Sequence, residues 1–301
     1  MNKKLAISIV VYKKYDEALD TVRSIEEHTG SELSKTLYLV DNSGFPVNDE
    51  GRAEFEEAVS TYEDVVYINT GENLGFGKGH NYTMDRLNEE YFAIVNPDIL
   101  ITEGAFESLI NMMDNDETIG MTIPKLVDED GNLQDAYRRT PTVFDMFIRM
   151  FVKKGFAKRK AYHSMRDMDF TKAFDVPFGQ GSFLLIRTQL WKELCGFDDQ
   201  FFMYMEDADL CRRVNKVSRL VYCPNAQVIH KWEKGSHKSA KLFKYHVRSM
   251  CQYFGKWGLI ERTEEMEKDK LKQAGGGRIP CYIFGLCNQH EIRLPFYGCA
   301  Y

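Results

Sequence analysis

Between residues 5 and 124, short runs of β-branched and aliphatic residues alternate with stretches of helical periodicity. That rhythm restricts the chain to βαβ units sharing one largely parallel sheet. Strands are expected at 5–12, 36–41, 65–69, 91–96 and 119–124, with helices near 16–28, 52–62, 77–88 and 103–115. Asp16 and Thr102 are the expected N-caps. A chain of 301 residues with 44% hydrophobic content can bury a sizeable core.

Beyond residue 128 the pattern changes. Asp130-Gly131 predicts a tight hairpin, and residues 142–161 read as a basic, aromatic helix or linker. Strands near 173–177 and 182–187, a helix near 205–216, short strands at 220–223 and 227–230, and a long basic helix over 236–256 follow. Residues 259–301 run from an acidic-basic stretch through Gly275-Gly276-Gly277 into a Cys-containing tail to which no role is assigned.

Composition narrows the setting. No apolar run reaches the roughly 18–20 residues that a membrane-spanning helix needs. The seven cysteines are odd in number and include no C-x-x-C pair, so the expectation is a reducing cytoplasm without a disulfide framework or zinc site. Net charge is −6, yet residues 149–172 hold eight Lys and Arg against two Asp, and residues 231–256 hold seven against Glu233 alone. Two such stretches on an acidic chain suggest contact with phosphates or anionic lipid; each also reads as a solvated helix face.

Ligands of an open parallel sheet bind beyond the carboxyl ends of its strands. At the first end Tyr12 could pack on a base, and at the second Asp41 could accept hydrogen bonds from a nucleobase or ribose; Asp41-Asn42-Ser43-Gly44 is also a plain turn. The run Asn73 to Asn81 places glycines at 75, 77 and 79, which would open backbone N–H groups to an anion, or simply make a tight connection. It matches neither G-x-G-x-x-G nor the P-loop. Pro97 holds Asn96 extended so that Asp98 emerges at the rim, where one carboxylate suffices for Mg²⁺ or Mn²⁺ if a diphosphate completes the shell.

In Met205-Glu206-Asp207-Ala208-Asp209-Leu210-Cys211, a helix starting near Met205 puts Asp207 on one face with Leu210, Cys211 and Val214. Asp207 is therefore expected to point into the protein body, with Glu206 and Asp209 solvated as dipole partners. His230 ends a strand ahead of Trp232 and the helix carrying His246 and Arg248. It reads as a packed core histidine or as a metal or diphosphate ligand.

In order, ISIVVY, LVDNSG, ENLGFGKGHN, NPD, GQGSFLLIR, FFMYMEDADLCRR and a lone His before a His-x-Arg helix cover about residues 5–258. That series resembles family 2 of the inverting glycosyltransferases, in particular bacterial rhamnosyltransferase-like members of cell-surface polysaccharide synthesis. The resemblance implies a GT-A-type α/β fold: a mostly parallel central sheet flanked by helices, with a C-terminal helical extension. It implies a catalytic domain over 1–230 (nucleotide-binding half 1–124, acceptor-binding half 125–230), a basic extension over 231–258 and a tail over 259–301.

By the same resemblance Val10, Tyr12 and Asp41 hold base and ribose, with Asn73, Gly75, Gly79, Asn81 and Asn96 near the nucleotide. Gly179, Gln180 and Gly181 lie beside the donor sugar, His246 and Arg248 touch the diphosphate, and Asp98 and His230 bind a divalent metal. Asp207 is the expected general base, since an attacking hydroxyl must lose its proton. dTDP-rhamnose is the favoured donor, ahead of UDP-linked hexoses or galactofuranose. The acceptor is a glycan or polyprenyl-diphosphate-linked saccharide, met at the inner face of the cell membrane. The alternatives are a sugar-1-phosphate nucleotidyltransferase, disfavoured because Tyr12-Lys13-Lys14-Tyr15 lacks glycine, and a non-catalytic nucleotide-sugar-binding partner in polysaccharide assembly.

Overall fold

A computed structural model describes residues 3–44, 50–152, 154–231 and 240–259. Residues 1–259 form one compact unit; the second unit, 260–301, lies outside the described residues, as does Trp232. Along the chain run β1 (Lys3–Val11), α1 (Tyr15–His28), β2 (Leu33–Asp41), α2 (Glu50–Val59), β3 (Val65–Asn69), α3 (Phe76–Asn81), β4 (Tyr91–Val95), β5 (Ile99–Ile101), α4 (Ala105–Asn115) and β6 (Ile119–Val127). There follow β7 (Tyr137–Arg138), α5 (Val143–Phe151), α6 (Ala157–His163), β8 (Phe174–Asp175), β9 (Phe178–Gly179), β10 (Phe183–Arg187), α7 (Thr188–Glu193), α8 (Glu206–Val217), β11 (Arg219–His230) and α9 (Ala240–Trp257).

The main sheet has the order β3-β2-β1-β4-β10-β6-β11-β5, with β8 also on β11; β7 and β9 pair separately. β3, β2, β1 and β4 are parallel, so their carboxyl ends share one edge. β10 then enters antiparallel to both β4 and β6, and β5 is antiparallel to β11, which makes the sheet mixed. All five residues of β4 are buried, as a strand covered on both faces requires. Its Phe92 packs 5.0 Å from the ring of the fully buried Trp191 on α7.

Several local expectations are corrected. The two short strands at 220–223 and 227–230 are one strand, β11, whose register against β6 shifts between Cys223 and Gln227, where Pro224 cannot donate to the ladder. The helix expected over 77–88 stops at Asn81, whose side chain is bonded to Phe197, and a 3₁₀ turn Met84–Arg86 follows. Lys14 rather than Asp16 occupies the N-cap of α1. Thr102 gives its hydroxyl to Gln227 O at 2.7 Å, so left-handed Gly104 caps α4 instead. The segment 142–161 is two helices, α5 and α6, separated at Gly155 and Phe156, which both have positive φ. Asp128 N bonds Asn132 O at 2.9 Å around Asp130-Gly131, closing the expected turn. Among the described residues no helix is long and apolar enough to cross a membrane.

Candidate active site

The parallel strands deliver Tyr12, Asp41 and Asn69 to one edge, and three glycine contacts draw the later loops onto it. Gly75 has φ 85°, and a Cβ there would stand 2.2 Å from Phe202 O, the oxygen that accepts a hydrogen bond from Phe76 N. A Cβ on Gly77 would meet Phe197, and one on Gly79 would fall 2.7 Å from Val10. The alternating glycines therefore serve close packing of α3 on β1 and on the 197–202 loop. Of the two readings of this run, that is the tight connection: Gly75 N donates to Asn73 Oδ1 (3.0 Å) and Gly79 N to Gly75 O.

The base-and-ribose candidates are placed unequally. Tyr12 is exposed at the end of β1 and Val10 lies beneath Gly79. Asp41 is fully buried: Oδ2 accepts from Arg52 at 2.6 Å and Tyr67 at 2.6 Å, and Oδ1 from Ser43 N at 2.8 Å. Its carboxylate is engaged by protein, so what it offers a nucleotide is the positioned loop 42–44. Asn81 likewise turns to Phe197, donating to its O at 2.8 Å and accepting from its N at 2.9 Å.

Beneath α3, His80 is fully buried with Nδ1 2.9 Å from Ser8 Oγ, and burial pushes its pKa from 6.5 down to about 3. The unfolded chain takes up the proton near 6.5 while the native state refuses it, so stability is full above 6.5 and is lost as pH falls. A loss of about 2 kcal/mol is expected by pH 5. Urea midpoints at pH 7 and pH 5 read it as the part of the difference that His80→Asn removes, the remainder including His163, which burial pushes down to about 4.

At the end of β4, Asn96 N donates to Ser182 O at 2.9 Å, which joins Asn96-Pro97-Asp98 to Gly179-Gln180-Gly181. Asp98 Oδ1 lies 3.4 Å from Nε2 of buried His230. Burial works to raise the Asp98 pKa, but His230 beside it holds the carboxyl below its ordinary value. Gln134 Nε2 donates to His230 O at 2.9 Å, which leaves Oε1 to accept from His230 Nδ1 at 2.8 Å. In the neutral ring this puts the proton on Nδ1 and turns the Nε2 lone pair toward Asp98, the arrangement of a metal-ligating imidazole. The buried oxygens Asn96 Oδ1 and Asp98 Oδ1 accept no hydrogen bond among the described residues. A carboxylate oxygen, an amide oxygen and an imidazole nitrogen fit a divalent cation whose other ligands come from a diphosphate. No cluster of three His, Cys, Asp or Glu is present among the described residues, so the protein's own share is small.

Gly181 N donates to Asp207 Oδ2 at 3.1 Å, and a Cβ on Gly181 would stand 3.1 Å from Asp207 Cβ, so glycine lets the strand approach the carboxylate. Just before α8, Tyr204 and Met205 both have φ 70°, costly for non-glycine residues. α9 holds them: Ser249 Oγ donates to Met203 O at 2.7 Å, and His246 stacks on Tyr204 at 4.7 Å. His246 thus reaches the site's border. Arg248, two residues on and about 200° around the helix, is exposed on another side.

The facing expectation needs correction. Asp207 is half-buried on the inner face, but Glu206 and Asp209 are buried as well. α9 covers the second face, where Asp209 binds Arg213 at 2.8 Å and Lys256 at 2.7 Å. Burial, then the charge of Asp207, raise Glu206 well above the carboxylate range. Burial also raises Asp207, opposed by Gly181 N–H and by Arg138. Both carboxyls are raised, Glu206 the further, so of the two Asp207 is the one that gives up its proton more readily.

Sequence reasoning missed Arg138, Gln134 and Arg52. Arg138 stands over the Phe178 ring at 5.2 Å, its pKa pushed down to about 9 by burial and then by Arg149. No motif marks these three: the pairing of β7 with β9 brings in Arg138, the bridge of Leu133 to Val127 brings in Gln134, and α2 carries Arg52.

Residues 3–252 match the family described as glycosyltransferase like family 2. The chain belongs to that family. This family 2 chain is 30% identical over 189 residues to N-acetylglucosaminyl-diphospho-decaprenol L-rhamnosyltransferase of Mycobacterium tuberculosis, a match spanning 58% of the chain and 61% of that protein. It is 28% identical to rhamnosyltransferase WbbL of Escherichia coli, over 65% of the chain and 75% of that protein. The crystal structure of GalNAc-T7 with UDP, GalNAc and Mn²⁺ shares its GT-A fold, with a TM-score of 0.61 at 14% identity over 90% of this chain and 55% of that one.

Proposed function

We propose that this family 2 chain is an inverting glycosyltransferase that moves a sugar from a nucleotide diphosphate donor to a glycan or lipid-linked saccharide, acting in the cytoplasm at the inner membrane face. L-Rhamnose from dTDP-rhamnose is the favoured transfer, because two relatives named as rhamnosyltransferases align with it. The observation that carries the reading is the junction of Asn96 N with Ser182 O and of Gly181 N with Asp207 Oδ2. Through Gly181 and Ser182 these contacts link the Asp207 carboxylate to the strand end that bears Asp98, whose pairing with His230 suits a diphosphate-bound cation.

Asp207 takes the proton of the acceptor hydroxyl as its oxygen bonds the anomeric carbon, while the bond from that carbon to the diphosphate breaks. One base and in-line attack invert the anomeric centre. The N–H of Gly181 fixes the carboxylate and Arg138 favours its ionised form. Asp98 and His230 would hold Mg²⁺ or Mn²⁺, which supplies charge neutralisation to the departing diphosphate. Tyr12 offers a ring to the base, and Gly179 to Gly181 leave room for the sugar.

The test is a panel of nucleotide sugars with a polyprenyl-diphosphate-linked saccharide. Nucleoside diphosphate released only when acceptor is present is the expected result. Pyrophosphate would indicate a nucleotidyltransferase, and no turnover a non-catalytic partner. A chelator and Asp98→Ala should each lower transfer by about tenfold or more; full activity in excess chelator removes the metal role.

A further inference from the structure

Helix α5 is turned inside out. Its one acid, Asp145, faces inward, capped by Thr142 Oγ1 at 2.6 Å and paired with Arg159 at 2.6 and 2.7 Å. Its outward face carries Phe144, Phe147 and Phe151, exposed by 50%, 52% and 57%. Spaced i, i+3 and i+7, they form one stripe. The stripe continues off the helix: Phe144 meets Phe156 at 5.6 Å, Phe147 meets Phe151 at 5.3 Å, and Phe151 meets Phe243 of α9 at 6.2 Å. Phe156 and Phe243 are also about half exposed. Five such rings leave on the order of 400–600 Å² of aromatic surface in water, the size at which a patch on a soluble protein marks an interaction site.

The charge around it has one sign. Between 141 and 166 the only acid is the buried Asp145, and between 240 and 257 there is none. Arg149, Lys154, Lys158, Lys241 and Lys244 are exposed there. α5 has nine residues, about 14 Å of helix, which is enough to lie in an interface and far too short to cross one.

We propose that α5, Phe156 and the first half of α9 form a docking face for an anionic lipid bilayer, with the rings entering the headgroup boundary and the lysines meeting its phosphates. Apolar rings flanked by cations, on segments whose one acid is buried, complement such a bilayer on both counts. A protein partner would need an unbroken acidic rim to match. That a lipid-linked acceptor arrives there rests on the transferase reading; the docking itself does not.

Flotation of the full chain with phosphatidylglycerol-containing vesicles, against phosphatidylcholine alone, tests the face. Binding is expected to the anionic vesicles and to weaken as salt is raised. Phe147→Glu with Phe151→Glu should weaken it by about tenfold or more, since two rings no longer leave water and two negative charges face the lipid phosphates. Phe147→Trp with Phe151→Trp should keep it, and unchanged melting temperatures show that both variants fold. Absence of binding at low salt, or equal binding by the glutamate variant, overturns the proposal. So does a wild-type dimer in light scattering that the glutamate variant dissolves, which assigns the face to a second copy. Vesicle binding by a protein that transfers no sugar leaves the face standing and the transferase reading fallen.

Discussion

Asp207→Asn is expected to leave donor binding near the wild-type level and to lower sugar transfer by about 10²–10⁴-fold, the usual contribution of a positioned general base. Asparagine keeps an oxygen for the N–H of Gly181, which reaches Asp207 Oδ2 at 3.1 Å, so the geometry persists while the proton acceptor is lost. Calorimetry with the nucleoside diphosphate reads binding, and single-turnover transfer reads chemistry. Near-normal turnover would remove the base assignment. The pH profile adds an independent check. Burial raises the Asp207 carboxyl, and the active form is the unprotonated one, so transfer should rise with pH through a midpoint above the ordinary aspartate value.

Asp209→Ala is expected to cost about 3–5 kcal/mol of stability, because removing one member of a buried ion pair strands the others. Asp209 has no exposed surface; one oxygen meets Arg213 Nε at 2.8 Å, and the other meets Lys256 at 2.7 Å and Trp257 Nε1 at 2.8 Å. Arg213 is almost wholly buried and keeps two carbonyls, Leu194 O and Gly196 O, which leave its charge unneutralised. Urea unfolding gives the difference directly. A loss below about 1 kcal/mol, the scale of an exposed pair, would show that water reaches this pocket.

The parallel half of the fold was legible because each strand is a compact apolar run whose neighbours follow soon after in sequence. The antiparallel insertion of β10 was not, since its pairing with β4 and β6 is long-range and leaves no local periodicity. The same division runs through the site. Helical spacing identified the inner face of α8 that bears Asp207, but it could not reveal that α9, centred some forty residues later, covers the opposite face and buries Asp209. Local sequence placed Asp98 at a strand end; the Gln134 amide that orients His230 comes from 96 residues earlier and has no signature. Asp41 shows the reverse failure. Its strand-end position was legible, but the saturation of its carboxylate by Arg52 and Tyr67 required the folded packing of β2, α2 and β3.

The glycine contacts set limits on how this enzyme scaffold can be re-engineered. At Gly75 an added methyl would press on a backbone oxygen, at Gly79 on Val10, and at Gly181 on the Asp207 side chain itself. Libraries aimed at new donors therefore gain least from Gly75 and Gly79, where a side chain must displace its neighbour, and at Gly181 any side chain pushes on Asp207. The variable palette is the exposed rim at Tyr12, whereas Asn73, though exposed, holds Gly75 N through its side-chain oxygen.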